Sequence, residues 1–364
     1  MAKVVGLIAG CYEQITFGYR VKPGENEWTV KADFTHHAHT ASVSVVAASE
    51  KFVVTGSKDE TIQVYDLKKR TEHGALLHHD GTITCLEFYE SHLLSGGEDG
   101  LLCVWSTKKW ECLKSIKAHK GHVTSLAVHP SGKLALSVGT DKTLRTWNLT
   151  NGRSAFIKNI KQNAHIVRWS PDGDNFVVVV EDKILIYKLE TASVTGTITN
   201  PKRISSVKFL NNSILVVAGD DETVRLCDVE KARWVCEFKA HETRVKAVDS
   251  LMMEDYCVVV TASNDGFIKL WKIHLKEELE CPVLLGEVDT AARLTCLAVW
   301  RPSSVPQVDQ DPTPEATTSK GAPSTEAAPQ LGKRVRITTE EVILEDESEP
   351  KKKKRNRRKK AVKQ

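Results

Sequence analysis

The 364-residue sequence predicts an all-β fold: a seven-bladed β-propeller closed by its N- and C-terminal strands and followed by a disordered basic tail. Three observations predict this fold. A turn-and-strand phrase recurs about every 40 residues, alternating apolar runs surround each copy, and both ends of the repeat region carry part of one further copy. We therefore assign residues 1–300 to the propeller, 301–350 to a polar linker and 351–364 to a basic tail.

The recurring phrase is an acidic turn followed by a strand that ends in a large side chain. GGEDGLLCVWS at 96–106 matches GSKDETIQVYD at 56–66, and four further copies follow. The turn acids are spaced by 40, 42, 40, 40 and 44 residues, and they are Asp59, Asp99, Asp141, Glu181, Asp221 and Asp265. This period suits a four-stranded propeller blade of about 40–45 residues and not a helical repeat of about 33–34.

Each period also holds enough apolar runs for four strands. A run such as ITCLEF (83–88) or VTSLAV (123–128) opens the unit, and a polar turn and a second apolar run lead to the acid. The strand after the acid and the one leading into the next unit complete the set. No segment of comparable length shows helical periodicity.

Four side-chain types recur in a constant order in three of the units. A histidine precedes the first strand, a hydroxyl precedes the acid by four residues, and a tryptophan follows the acid by six. The three sets are His79, Ser95, Asp99, Trp105; His119, Ser137, Asp141, Trp147; and His241, Thr261, Asp265, Trp271. The first unit has His39, Thr55 and Asp59 with Tyr65 in the last place, whereas units four and five have Val177 and Val217 in the hydroxyl place and are expected to rely on apolar packing.

A Ser/His/Asp set on its own also suggests a hydrolase, in which imidazole activates the hydroxyl. Repetition of the set in several units argues against catalysis, and a structural role also accounts for the tryptophan, because a buried hydroxyl, imidazole and indole each need a hydrogen-bond partner. The pattern resembles the WD-repeat propeller family, whose blades are held by hydrogen-bonded tetrads of these residue types. The resemblance implies a protein that is not an enzyme.

The two ends of the repeat region complete a seventh unit. LIAGCYEQITFGYRV at 7–21 overlays on the recurring phrase, with Glu13 on Asp59 and Tyr19 on Tyr65. RLTCLAVW at 293–300 overlays on the opening strand of a unit. Joining them in one blade would close the ring and leave no open sheet edge.

The composition changes after Trp300. Residues 301–364 hold seven of the twelve prolines and no aromatic residue, which predicts disorder. The chain ends in a run of nine cations in ten residues, Lys351, Lys352, Lys353, Lys354, Arg355, Arg357, Arg358, Lys359 and Lys360. We interpret this run as a nuclear and nucleolar targeting signal, with contact to rRNA phosphates as a compatible second use.

Other classes of function have no support in the sequence. The nine cysteines form no CxxC pair, which favours reduced intracellular thiols, and no apolar run reaches the length of a membrane span or a signal peptide. His36, His37 and His39, like His78 and His79, have no cysteine or carboxylate at ligand spacing, so we expect neither a metal nor a cofactor.

The sequence resembles a narrower group within the WD-repeat proteins. AGCYEQITFGY (9–19), VVTGSKDETIQVYD (53–66) and GRSAFIKNIKQNAHIVRW (152–169) are similar to the p21-activated protein kinase-interacting protein 1 family. The resemblance implies a scaffold in nucleolar assembly of the large (60S) ribosomal subunit, and a negative regulator that binds the regulatory region of p21-activated kinase. The basic tail favours the ribosomal role. A substrate-recruiting adaptor of a ubiquitin ligase is the alternative, and we expect a monomer within a larger complex.

Partner contacts are expected on the loops of one propeller face. The candidates are the turn acids and their neighbours Lys58, Glu60, Glu98 and Lys142. Solvated loop charge with no binding role is the alternative interpretation of these residues.

Overall fold

A computed structural model describes residues 5–24, 27–275 and 281–301. These residues form 28 β-strands in seven four-stranded antiparallel sheets, the blades. The predicted seven-bladed all-β fold is confirmed. The predicted linker and basic tail lie outside the described residues, apart from Arg301. No helix of the described ranges is long and apolar enough to span a bilayer.

Blades 1 to 3 follow one another along the chain, and in each blade the strands pair in chain order. Blade 1 consists of β4 (Val43–Ala48), β5 (Phe52–Ser57), β6 (Ile62–Asp66) and β7 (Thr71–Leu76). Blade 2 consists of β8 (Ile83–Tyr89), β9 (His92–Gly97), β10 (Leu101–Ser106) and β11 (Glu111–Lys117). Blade 3 consists of β12 (Val123–Val128), β13 (Leu134–Gly139), β14 (Thr143–Asn148) and β15 (Arg153–Asn159).

Blades 4 to 6 repeat the same order. Blade 4 consists of β16 (Ile166–Trp169), β17 (Asn175–Val180), β18 (Lys183–Lys188) and β19 (Ser193–Thr199). Blade 5 consists of β20 (Ile204–Phe209), β21 (Ile214–Gly219), β22 (Thr223–Asp228) and β23 (Arg233–Lys239). Blade 6 consists of β24 (Val245–Met252), β25 (Cys257–Ser263), β26 (Phe267–Ile273) and β27 (Val283–Asp289).

Blade 7 joins the two ends of the repeat region. It consists of β28 (Leu294–Trp300), β1 (Val5–Cys11), β2 (Thr16–Lys22) and β3 (Thr29–His36). β28 pairs with β1 in antiparallel register, from Gly6 opposite Trp300 to Cys11 opposite Leu294. An ion pair between Arg293 Nε and Glu13 Oε1 (2.9 Å) adds to this contact. The predicted closure by the terminal strands is therefore confirmed.

The first strand of each blade lies innermost and contacts the first strand of the next blade, including β28 with β4. A hydroxyl at the second position of five of these strands links neighbouring blades. The Thr84 hydroxyl contacts the carbonyl oxygens of Gly96 in its own blade (3.0 Å) and of Val123 in the next blade (2.6 Å). The same link is made by Ser44, Thr124, Ser205 and Thr295.

The apolar core lies between adjacent sheets. The cluster between blades 1 and 2, for example, combines Val54 and Ile62 from blade 1 with Leu93 and Trp105 from blade 2. Similar buried clusters lie between other neighbouring blades. Burial between sheets, together with the hydrogen bonds between inner strands, fixes each blade against the next and so positions the loops that the blades carry.

Candidate interaction face

Two sets of loops emerge at the same edge of every blade, because the four strands alternate in direction. One set is the turn between the second and third strands, which carries the turn acid. The other is the linker from the fourth strand to the next blade, which carries the histidine. We call this side of the ring the acid-turn face.

The turn itself is a tight hairpin. In blade 2, Gly100 N–H donates to Gly97 O (3.0 Å) and Asp99 Oδ1 accepts from Leu101 N–H (2.9 Å). Gly100 has a φ of 77°, and the residues in the same place in blades 1 and 3, Glu60 and Lys142, have φ values of 69° and 61°. Their backbone is thus held in the left-handed region, which is a strained place for a side chain other than glycine.

A buried tetrad joins the linker to this turn. In blade 2, His79 Nδ1 lies 2.8 Å from Asp99 Oδ2 and His79 Nε2 lies 2.8 Å from Ser95 Oγ. The Trp105 indole N–H donates to the same hydroxyl oxygen (2.8 Å). Each polar group of the tetrad therefore has a partner inside the blade.

The same geometry recurs in two other blades. The histidine-to-acid, histidine-to-hydroxyl and indole-to-hydroxyl distances are 2.9, 2.7 and 2.9 Å in the blade 3 set of His119, Asp141, Ser137 and Trp147. They are 3.0, 2.7 and 3.1 Å in the blade 6 set of His241, Asp265, Thr261 and Trp271. In blade 1, His39 contacts Asp59 and Thr55, and the buried Tyr65 ring stacks on His36 instead.

The charges of the tetrads suit a structural role. Burial lowers the pKa of His39, His119 and His241 despite the neighbouring carboxylates, so these imidazoles are neutral at pH 7. Burial by itself would raise the pKa of Asp141, but hydrogen bonds from Thr143 and His119 outweigh it and lower the pKa to about 2. Since the Ser95, Ser137 and Thr261 side chains are wholly buried, no substrate can reach their hydroxyls.

The turn acids that pair with a linker histidine, in blades 1, 2, 3 and 6, have little oxygen left for a partner, contrary to our expectation for this face. Asp141 Oδ1 accepts from the backbone N–H and the hydroxyl of Thr143 (3.1 and 2.6 Å), and Oδ2 accepts from Lys120 N–H (3.1 Å). The neighbouring candidates remain available, because all four are exposed at the acid-turn face: Lys58, Glu60, Glu98 and Lys142.

Blade 4 lacks the tetrad, and a cavity of about 280 Å³ opens at the acid-turn face beside it. Gln162, four residues before β16, is exposed, and the buried Val177 lies four residues before the turn acid Glu181. The cavity is bounded by the turns and linker of blades 3 and 4, with Lys142, Lys161 and Lys183 on its wall beside Glu181 and Asp182. Three lysines and two acidic residues in the lining give this cavity a net positive formal charge.

Blade 5 also lacks the tetrad, but a polar network replaces it, so our expectation of apolar packing alone is wrong for this blade. The buried Arg225 side chain contacts Asp221 Oδ2 (2.8 Å), Glu237 Oε2 (2.9 Å) and Asn200 Oδ1 (3.2 Å). Asn200 lies four residues before β20. An arginine four residues after the turn acid does not by itself identify this network, because Arg145 has the same spacing from Asp141 in the tetrad-bearing blade 3.

Comparisons with known proteins agree with this architecture. The family "WD domain, G-beta repeat" matches residues 30–66, 71–106 and 110–148, and the "Anaphase-promoting complex subunit 4 WD40 domain" matches 167–254. A Danio rerio protein named p21-activated protein kinase-interacting protein 1-like is 66% identical over 95% of this chain and 94% of its own length. The chain belongs to the p21-activated protein kinase-interacting protein 1 family.

The p21-activated protein kinase-interacting protein 1 of Homo sapiens is 58% identical over 81% of this chain and 76% of its own length. More distant similarity extends to yeast. Protein MAK11 of Saccharomyces cerevisiae is 29% identical over 73% of this chain and 74% of its own length. Members of the p21-activated protein kinase-interacting protein 1 family therefore share nearly the whole propeller with this chain.

One cluster in this family member has the donor atoms for a metal ion, although we expected no metal site from the residue spacing. His78, Cys103 and Cys112 bring one imidazole nitrogen and two sulfurs within 4.8 Å of one another. Sequence spacing conceals the cluster, because the linker and two strands of blade 2 supply one ligand each. Within the described residues, this is the set of three or more His, Cys, Asp or Glu side chains whose donor atoms lie close enough to hold one metal ion.

Proposed function

We propose that this protein is a non-enzymatic scaffold that acts in nucleolar assembly of the large (60S) ribosomal subunit and restrains p21-activated kinase by binding its regulatory region. The observation that carries the proposal is the acid-turn face. Buried tetrads hold its loops rigidly, and exposed charge and a basic cavity remain at its surface. A rigid face binds partners without a large ordering penalty.

The kinase part of the proposal is supported by the names of relatives. The Homo sapiens relative is named for interaction with p21-activated kinase, and a Schizosaccharomyces pombe relative, 28% identical over 80% of this chain and 82% of its own length, is named Shk1 kinase-binding protein 15. We place the contact at the cavity between blades 3 and 4. Its lysines suit acidic side chains of a partner, because opposite charges steer encounter and fix orientation.

A charge-reversal experiment tests this contact. Lys142→Glu, Lys161→Glu and Lys183→Glu are combined in one variant, and binding to the isolated regulatory region of the kinase is measured by calorimetry at two salt concentrations. We expect at least a tenfold weaker affinity, and a weaker salt dependence than that of the unmodified protein.

A matched variant controls for charge alone. Lys69→Glu, Lys108→Glu and Lys133→Glu change three exposed lysines on the opposite face by the same amount. Equal weakening by both variants would exclude the cavity as the contact, and unchanged binding by both would reject a lysine-mediated contact.

The ribosomal part of the proposal is supported by the basic run at 351–360, which suits a nucleolar address and contact with rRNA phosphates. The test compares the full chain with a chain that ends at Pro350, by imaging and by co-sedimentation with pre-60S particles. Deletion of 316–329 removes the same length of linker and serves as the control. Nucleolar localisation lost only on removal of the basic run supports the proposal, whereas full-length protein absent from nucleoli and pre-60S fractions rejects it.

The competing hypothesis is an adaptor of a ubiquitin ligase. This hypothesis is supported by the family match over residues 167–254, which is named for a subunit of the anaphase-promoting complex. Affinity purification of the full chain separates the two. Recovery of a cullin complex favours the adaptor, and a set dominated by 60S assembly factors favours the scaffold.

A further inference from the structure

We propose that His78, Cys103 and Cys112 form a zinc site on blade 2, with a fourth position open to water or to a donor from a binding partner. The site is separate from the cavity between blades 3 and 4, and its existence does not depend on the proposed function.

The strand pairing brings the two thiols together. Cys103 lies on β10 opposite Ser115, and Cys112 lies on β11 opposite Trp105, with a bulge between Val104 and Trp105 that shifts the register. Side chains of residues 103 and 105 point to one side of the sheet, so the cross-strand neighbour of residue 105 lies on that side as well. Cys103 and Cys112, whose sequence separation is not that of a CxxC zinc motif, thus share one surface of the blade.

The third ligand, His78, is the residue next to the tetrad histidine of blade 2. His79 is fixed by its contacts with Asp99 and Ser95, and its neighbour His78 is placed edge-on to the Trp105 ring, with centroids 5.9 Å apart at 90°. Both nitrogens of the His79 imidazole are held, so the chain is anchored next to His78. The structural tetrad therefore also orients a potential metal ligand.

The distances are close to those of a bound ion. The three donor atoms lie within 4.8 Å of one another, whereas zinc with about 2.3 Å bonds to sulfur and about 2.0 Å bonds to nitrogen would place them about 3.5–3.8 Å apart. Side-chain movements that shift the donor atoms by about an ångström would bring them to these separations. The Cys103 thiol donates to Ser115 Oγ (3.6 Å), and the same hydroxyl could donate to the sulfur once a metal ion has replaced the thiol proton.

The donor set and its exposure indicate the ion and the open position. Two sulfurs and one imidazole are ligands for a thiophilic ion such as Zn²⁺ and not for Mg²⁺ or Ca²⁺, which prefer oxygen. Cys103 is wholly buried, but His78 and Cys112 are half-buried, so solvent reaches one side of the cluster. Three protein ligands with solvent access match a zinc site that keeps a fourth position free.

The test uses the full chain without a polyhistidine tag, reduced and freed of metal. Zn²⁺ is titrated in competition with a chromophoric chelator, and Co²⁺ serves as a spectroscopic substitute whose thiolate charge-transfer bands report sulfur ligands. We expect one tightly bound equivalent per chain, lost in Cys112→Ser and in His78→Ala. These two half-buried positions are chosen because Cys103 belongs to the core, where substitution risks misfolding.

Cys236→Ser is the matched control, since it changes another half-buried thiol on the outer strand of a blade. It is expected to keep the site. A second measurement needs no variant: Zn²⁺ should slow alkylation of Cys112 in the unmodified protein and leave that of Cys236 unchanged, as read by mass spectrometry. Absence of a stoichiometric Zn²⁺ equivalent, or a site that survives Cys112→Ser but is lost in Cys236→Ser, would overturn the proposal.

Discussion

Replacing Ser137 by alanine tests the structural role of the tetrads most directly. The Ser137 hydroxyl is wholly buried in blade 3, where it lies 2.7 Å from His119 Nε2 and accepts from the Trp147 indole N–H at 2.9 Å. The substitution removes one small group and leaves both of its partners in place. No loop or surface charge changes.

The expected loss of stability follows from the two groups left behind. His119 is 1% exposed and Trp147 is 3% exposed, so water cannot replace the missing oxygen. Each buried, unsatisfied polar group costs about 1–3 kcal/mol, so the two together predict a loss of about 2–6 kcal/mol. Removal of one oxygen atom leaves only a small cavity. The loss of stability therefore comes mainly from His119 Nε2 and the Trp147 indole N–H, which lose their hydrogen-bond partner.

Urea denaturation measures the loss, and hydrogen exchange locates it. We expect a lower midpoint with an unchanged slope, and faster exchange at the linker and turn of blade 3, residues 118–122 and 139–143. Ser154→Ala, at an exposed position of the outer strand of the same blade, is the control and should stay within about 0.5 kcal/mol. A Ser137→Ala protein as stable as the control would refute the argument.

Three further predictions concern the frame of the ring. Lowering the pH from neutrality should destabilise the protein, because the unfolded chain takes up protons near the ordinary histidine pKa of 6.5 while burial keeps the folded-state pKa of His39, His119 and His241 lower. Each histidine contributes at most about 1.4 kcal/mol per pH unit to the loss of unfolding free energy. Urea melts that show the same stability at about pH 7 and pH 5 would contradict this prediction. Arg225→Ala should cost about 3 kcal/mol in the same assay, since it leaves the largely buried Asp221 carboxylate and the buried Asn200 amide without their cation, and a change no larger than that of an exposed substitution would show that the network is dispensable. Deleting residues 1–22 should open the ring at β28 and yield aggregated protein on size-exclusion chromatography, whereas a monomer with the original melting temperature would show that closure is unnecessary.

Much of the fold could be predicted because each blade repeats the same local physics. A left-handed turn position, alternating apolar residues and a buried hydroxyl all leave a mark at fixed spacing, so Asp99 or Trp105 could be placed from the sequence alone. Glu13 and Arg293 could be brought near each other because each end of the repeat region matches half of one unit.

The remaining features depend on packing between strands that no local pattern encodes. The hydroxyls between inner strands, such as Thr84, follow the first apolar residue in five of the seven units, but their partner is a carbonyl in the next blade. The Arg225 network and the cluster of His78 with two cysteines each need a register that only the paired strands define. Long-range register, not residue identity, was the missing information.

The acid-turn face is uneven, and this unevenness bears on how a family of similar rings can differ in partners. Where a tetrad is present, the turn acid and the linker histidine are hydrogen-bonded to each other inside the blade, so contacts with a partner fall to the residues beside them. Blades 4 and 5, which are adjacent, break the rule: one leaves a lysine-lined cavity and the other an arginine network that reaches a half-exposed carboxylate at Glu237. Because surrounding blades hold this sector, its exposed charges are presented at fixed positions, and substitutions of the exposed cavity lysines can change partner preference at little cost to the ring.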